Sequence, residues 1–333
     1  MNKALPKFIR LPGDPQISPP YSFSNVSIQS FRLKADTTTL QKLVDRQLNI
    51  GTEAARGFTY DTNRDYVDLE VLTYGRMESD AKKPEGKIGS MTQHELYFRI
   101  LVDKRVIDPE GASKSKETAI FIPYIFVDNN WSVIAGREVI GYPKVYAKFE
   151  EPFAGGNGKP ADPGYPWYTW TIATDVFHKF GAPKLELLEF VKIEAKEGNR
   201  SEVSGTWPWV GDPSPQDSLV LGQSSTHKPT IQLKQILDAE NHDNDGGPND
   251  EFACYQALVH ADLDVTVERT GDNPDPLPPA KITITHHDSL PIARVLGLLE
   301  GGLTPISEYR VKCSSMSLKN TRNLFVLPPP PGL

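Results

Sequence analysis

Ala119-Ile-Phe-Ile-Pro-Tyr-Ile-Phe-Val127 runs into Asp128-Asn-Asn130, and a short apolar segment then leads to Gly136-Arg-Glu-Val-Ile-Gly-Tyr-Pro-Lys-Val-Tyr-Ala-Lys-Phe-Glu150. The first block, extended from Thr118 to Val127, is a near-continuous apolar run and reads as a strand buried on both faces. Asp128-Asn129-Asn130 turns it into a helix predicted over 131–140. Gly141 can stop that helix and Pro143 prevents its restart. Lys144 then opens a stretch that alternates like a strand, with Val145, Ala147 and Phe149 on one face and Lys144, Tyr146 and Lys148 on the other. A lysine held at a helix–strand junction by a glycine and a proline is placed to be a reagent, and Lys144 is the candidate nucleophile.

Outward from this junction the chain reads mainly as strands. Ala257 to Arg269 alternates most clearly, with Val259, Ala261, Leu263, Val265 and Val267 against His260, Asp262, Asp264, Thr266 and Glu268. Strands are also predicted at Ser27–Leu33, Tyr66–Tyr74, Glu95–Val102, Trp167–Thr174, Leu185–Ala195, Lys281–His286 and Ser307–Ser314. A helix starts at Asp36, shares Leu40, Leu43, Val44 and Leu48 on one face, and ends at Gly51. Ile292–Leu299 reads as another helix. Residues 103–117 read as a charged loop, 155–166 as a Gly/Pro loop, and 207–215 as a proline-bearing crossing. Residues 1–20 form a proline-rich arm, 21–326 one domain, and 327–333 a proline-rich tail. Strands outnumber helices by several to one, without the helix–strand alternation of a doubly wound sheet.

The 333 residues suffice for one large or two ordinary domains. The 29 prolines suit a β-rich fold with many turns. A net charge of −7 with no basic run argues against a nucleic-acid partner. No apolar stretch approaches the roughly 18 residues of a membrane span or forms a secretory leader, so the expectation is a cytoplasmic protein without a membrane partner. Cys254 and Cys313 lack metal-ligand spacing; one disulfide between them is possible, and a free pair in a reducing cytosol is the expectation. His286-His287 point to opposite faces of a strand and are not a metal pair. Asn241-His-Asp-Asn-Asp245-Gly246 begins like a calcium loop, but Phe252 stands where a bidentate glutamate is required. Gly155-Gly-Asn-Gly158 lacks the lysine and helix of a phosphate loop. No metal is expected.

The block 119–128 followed by Gly136-Arg-Glu, then Gly141-Tyr-Pro-Lys144, resembles the acetoacetate decarboxylase family, whose Gly-Arg-Glu…Tyr/Phe-Pro-Lys segment carries a Schiff-base lysine. Tyr21-Ser-Phe-Ser-Asn25 through the Asp36 helix, Ile231-Gln-Leu-Lys234, Ala253-Cys-Tyr-Gln-Ala257 and His287-Asp-Ser-Leu-Pro291 are similar to further landmarks of that family. The resemblance covers roughly residues 20–300. It implies a mainly β (α+β) fold, with antiparallel sheets closing into a barrel or cone and a few short helices. It also implies a homo-oligomer, a keto acid substrate and no cofactor. Lys144 takes the imine-forming role and Glu95 the catalytic acid, with Gln93 as the alternative in the other register. Two positions depart from the pattern. Val145 replaces a second lysine, and Val26 stands where an active-site arginine is expected.

Imine chemistry requires a neutral amine. With an ordinary lysine pKa near 10.4, only about 1 in 2,500 amines is neutral at pH 7. Apolar burial or a nearby cation changes that, and acetoacetate decarboxylase is itself the standing example of such activation. Here desolvation by Val133, Ile134, Val139 and Ile140 is expected to dominate, with Val145 adjacent. Arg137 adds a positive field or pairs with Glu138, Tyr142 lines the pocket, and Glu95 orients the intermediates or relays a proton. The expected activity is decarboxylation of a β-keto acid, by a lyase. The alternatives are aldolase, dehydratase or hydratase chemistry on pyruvate-like keto acids, and a non-catalytic small-molecule-binding homologue.

Overall fold

The computed structural model describes residues 18–79, 89–107, 113–150, 170–175, 187–194, 224–237, 253–268, 280–298 and 301–327. β1 (Tyr21–Lys34) leads into α1 (Thr37–Leu48), a short α2 (Glu53–Arg56), β2 (Phe58–Asp61), β3 (Tyr66–Ser79), β4 (Met91–Ile107) and β5 (Ser113–Val127). α3 (Asn130–Ala135), a π-helical turn (Gly136–Ile140), β6 (Lys144–Tyr146) and β7 (Lys148–Glu150) follow. The rest comprises β8 (Trp170–Thr174), β9 (Leu188–Glu194), β10 (Ser224–Leu237), β11 (Ala253–Glu268), β12 (Lys281–Ile284), α4 (Ile292–Val295), β13 (Gly301–Leu303) and β14 (Ser307–Val326).

The larger sheet runs β2-β4-β3-β1-β14-β11-β10-β5-β6, and an added β4–β5 pairing closes it into a ring. Most neighbours in the ring are antiparallel, while β10 meets β5 in parallel over Thr230–Ile231 alone. A smaller sheet, β13-β12-β9-β8-β7, packs outside. Strand alternation sorts the apolar residues into two cores. One lies within the ring and holds Ile28, Leu72, Tyr97, Ile125, Ala261, Leu263 and Met316. The other joins the ring's outer face to α1, α4 and the smaller sheet, through Phe31, Leu40, Phe98, Trp170, Phe190 and Ile282. The mainly β barrel or cone is therefore the observed architecture.

α1 forms as its sequence dictates. Asp36 caps it by accepting from the Thr39 N–H at 2.7 Å, and Leu40, Val44 and Leu48 bury one stripe against the outer core. The helix read at 131–140 is present but changes pitch halfway. Gly141 and Tyr142 both donate to the Gly136 carbonyl, at 2.9 and 3.0 Å, and Gly141 ends the turn at φ +88°. The strand read at 144–150 divides at Ala147, which is fully buried and donates to the Val127 carbonyl at 2.9 Å. β6 therefore stays with the ring and β7 joins the smaller sheet.

Other expectations need correction. Residues 103–107 and 113–117 are the end of one hairpin rather than a charged loop. Lys104 stands opposite Glu117 and its ammonium lies 4.7 Å from the Phe58 ring centroid, so polar residues continue the strands beyond the apolar core. β14 continues to Val326 because Met316 and Leu318 face inward between polar residues that obscured the pattern. β10 is a full strand over Ser224–Leu237, where the sequence reads only as a family landmark at 231–234. The helix expected at Ile292–Leu299 is one turn, ended near Gly297 at φ +62°. His286 meets Asp288 at 3.2 Å and His287 meets the Glu189 carbonyl at 3.1 Å, so the two rings part as expected. Among the described residues no group of three or more acidic, His or Cys side chains could hold a metal, and no helix is long and apolar enough to cross a membrane. Most of the N-terminal arm, the 155–166 and 207–215 segments, the calcium-like loop, the side chains of both cysteines and the final proline run lie outside the described residues.

Candidate active site

The site is assembled by β4, α3 and β6. Alternation along β4 turns Gln93, Glu95, Tyr97 and Arg99 into the ring, and all four are buried. Asn129 caps α3 by accepting from the Trp131 and Ser132 N–H groups at 3.0 and 3.2 Å, which fixes the first turn and with it the Ser132 hydroxyl. β6 pairs in parallel with β5, Ile125 opposite Lys144, and carries the lysine in beside them.

Lys144 is only 9% exposed. Its Nζ donates to Glu95 Oε2 at 2.9 Å and to Ser132 Oγ at 2.7 Å. Glu95 is held from two further directions. Tyr74 Oη donates to Oε1 at 2.9 Å, and Gln93 Nε2 donates to Oε2 at 2.9 Å. Gln93 and Glu95, the two alternatives for the acidic position, are thus hydrogen-bonded neighbours in one site. The lysine stem lies against Gly136: a Cβ there would come within 2.6 Å of Lys144 Cδ and 2.8 Å of Cε. Glycine is required here by close approach, since Gly136 itself has ordinary right-handed helical angles (φ −64°).

A cavity of about 90 Å³ opens over this amine. Its wall is largely apolar, including Ile122, Ile125, Ile140, Leu263, Met316 and Leu318. Lys144 is the one lysine or arginine among its described lining residues. Tyr97, which also lines it, donates to Glu70 deeper in the ring. Glu70 accepts from Ser30 at 3.2 Å and pairs with Arg99 at 3.0 Å, while Asp68 pairs with Arg32 at 2.8 Å and also with Arg99. Burial raises the Glu70 carboxyl above its usual range, partly opposed by the Arg99 charge, and burial also raises the Tyr97 phenol.

The structure brings Lys144, Glu95 and Tyr142 to the cavity, but not Arg137 or Glu138. Those two are exposed on the outer side of the π-helical turn, whose Gly136 and Ile140 face inward. Arg137 instead donates to the Lys144 backbone carbonyl at 3.2 Å and pins β6 from behind. Glu138 acts electrostatically on Lys234. Tyr142 donates to Thr230 Oγ1 at 3.1 Å, and its ring centroid is 5.9 Å from Lys144 Nζ. Burial pushes its phenol up, so it remains a neutral wall residue. Of the four apolar side chains expected to desolvate the amine, only Ile140 lines the cavity. Val145 packs against the outer core, away from Nζ, and Val26 is buried in the inner core. Sequence reasoning missed Ser132, Tyr74 and Gly136. Asn129 at an N-cap position was the available signal for Ser132.

Comparison with known proteins bears out the resemblance read at 119–150. Residues 4–152 match the family model described as acetoacetate decarboxylase (ADC). An acetoacetate decarboxylase from Legionella pneumophila is similar in structure at 16% identity, covering 98% of this chain and 93% of that one, with a TM-score of 0.55. A second acetoacetate decarboxylase structure is 14% identical, with coverages of 94% and 92% and a TM-score of 0.54. The enduracididine biosynthesis enzyme MppR, complexed with the condensation product of pyruvate and imidazole 4-carboxaldehyde, is 12% identical, with coverages of 97% and 98% and a TM-score of 0.51. Among curated proteins none matches.

Proposed function

We propose, for a chain similar to the acetoacetate decarboxylase family from residue 4 to 152, a Schiff-base lysine enzyme that decarboxylates a β-keto acid. The observation that carries the reading is the buried Lys144 amine, held between Glu95 Oε2 and Ser132 Oγ at the base of an apolar cavity.

The lysine must first shed a proton, and Glu95 is the acceptor in contact with it. The neutral Nζ adds to the keto carbonyl carbon to give a carbinolamine. Glu95 returns the proton to the departing hydroxyl, water leaves, and a protonated imine remains. The bond to the carboxylate then breaks, CO₂ departs, and its electron pair moves through the α-carbon toward the imine nitrogen to form an enamine. Protonation at the α-carbon and addition of water release the ketone and restore Lys144. Ser132 and Glu95 keep the nitrogen oriented throughout, while Gln93 and Tyr74 hold Glu95. A carboxylate among Ile125, Leu263 and Met316 is poorly solvated, whereas the charge-dispersed transition state loses less there. No described cavity residue other than Lys144 could hold that carboxylate as a cation, which favours its loss over its retention.

A second reading keeps the imine and forms or breaks another bond, as an aldolase or dehydratase on pyruvate-like acids. Its support is the structural likeness to MppR bound to a pyruvate condensation product. Borohydride reduction in the presence of a panel of β-keto and α-keto acids, followed by peptide mass mapping, tests both. The expected adduct is on Lys144, is absent in Lys144→Ala, and accompanies CO₂ release with a β-keto acid. A stable adduct without CO₂, together with aldehyde condensation, would favour the second reading. No adduct across the panel would exclude both.

A further inference from the structure

Behind the catalytic strand lies a second concavity of about 380 Å³, which among the described lining residues shares only Tyr142 with the Lys144 cavity. Its charged lining consists of Arg46 from the last turn of α1, Arg137 from the π-helical turn, and Lys234 from β10. No acidic side chain is among its described lining residues, and Glu138 is the acidic group that acts on Lys234 from nearby. β10 approaches with Thr230, Gln232 and Lys234 on one face. Thr230 accepts from Tyr142, and a Cβ on Gly141 would come within 2.7 Å of Lys234 Cβ, so this row runs directly beneath the Gly141–Tyr142 backbone.

The charged side chains indicate what this concavity could receive. Lys234 is half-buried, and burial works against its charge more than Glu138 supports it. Three cations on one wall, with no acidic side chain among the described lining residues, are complementary to a multiply charged anion. Leu43, Phe121, Pro123 and Val295 on the same wall suit a ligand with some apolar body.

The geometry points to a second small-molecule site here, for a compact organic anion bearing carboxylate or phosphate groups, held by Arg46, Arg137 and Lys234. Arg137 connects it to the chemistry, because the guanidinium that would meet the anion is the one that holds the Lys144 carbonyl. The site itself does not depend on any reaction at Lys144.

Isothermal titration of the full chain with citrate and, separately, inorganic phosphate tests the assignment. Saturable binding of at least one probe is expected, citrate alone indicating carboxylate preference and both indicating a general anion site. The double variant Arg46→Gln, Lys234→Gln should bind at least about tenfold more weakly, from the loss of charge-assisted bonds. Lys234→Arg, which keeps the charge, should retain binding, and a urea unfolding midpoint of the double variant close to that of the natural chain shows that its loss of binding is not unfolding. Lys144→Met should bind as the natural chain does. No binding of either probe, equal affinity in the double variant, or loss in Lys144→Met, which would move the anion to the other cavity, each overturns the assignment.

Discussion

Lys144 Nζ and Glu95 Oε2 stand 2.9 Å apart although 49 positions separate them in the chain. β6 enters the ring beside β5, and β5 pairs with β4 so that Glu95 faces Val127, two residues beyond the Ile125 that Lys144 pairs with. The amine and the carboxylate beside it are thus set by strand register rather than by a loop. Such placement would hold reacting groups within the narrow tolerance that catalysis requires.

Glu95→Gln keeps the side chain's size and its capacity to bond Tyr74 while removing the proposed proton acceptor. Turnover of a β-keto acid should fall about a hundredfold, the usual scale for losing a general acid–base group. Borohydride trapping at Lys144 should slow without vanishing, since the amine remains. Single-turnover trapping rates measured beside steady-state turnover check this, and unchanged values of both would remove Glu95 from the mechanism.

Gly136→Ala tests the close approach of the lysine stem. The added methyl would sit 2.6 Å from Lys144 Cδ, so the stem must move away from Gly136. Overpacking of this kind costs about 1–3 kcal/mol, measurable by urea unfolding. The larger effect should be on adduct formation, because displacement of Nζ breaks its contacts with Glu95 and Ser132 together. Wild-type trapping in a folded variant would show that the stem has room to adjust.

How far the sequence disclosed this site depended on the range of each signal. Lys144 was legible because Gly141 and Pro143 act on their immediate neighbours, and the helix ends at Gly141 as those residues require. The family resemblance put Glu95 at the acidic position with Gln93 as the alternative register, and in the fold the two are hydrogen-bonded neighbours. Arg137 and Glu138 were assigned to the pocket because they flank the lysine in sequence. Their true side depends on a π-helical turn, whose wider hydrogen bonding leaves no period in so short a stretch. The ring closure was expected only through family resemblance. Two parallel pairs between β10 and β5 are a long-range contact that no local pattern encodes.

Arg99→Leu should destabilise the fold by about 3–5 kcal/mol, because Glu70 and Asp68 lose their shared buried cation. The pH dependence has a definite sign. Glu70 already has its folded pKa raised above the usual 4.5, chiefly by burial, so its protonation favours the folded state. That contribution is fully present below 4.5 and is lost as pH rises through the folded value. Without Arg99 the folded value rises further, so the variant's deficit should shrink on acidification toward 4.5. Urea unfolding across pH 4.5–7.5 checks this, and a deficit that grows toward acid would contradict the placement of Glu70 in the buried cluster.

Val145→Lys bears on the departure from the family's paired lysines. In the folded chain Val145 lies opposite Phe126 in β6–β5 pairing and packs against the outer core, while Lys144 faces the cavity. A lysine at 145 therefore has its stem against apolar side chains and must carry its charge outward to solvent. The variant should lose about 1–3 kcal/mol of stability. Acetoacetate turnover should not rise, because successive strand residues point to opposite faces and the new ammonium is directed away from Nζ. Parallel urea unfolding and turnover assays distinguish the outcomes. An increase in turnover at unchanged stability would mean that the β6 strand turns a second lysine toward the cavity, contrary to the side-chain directions seen here.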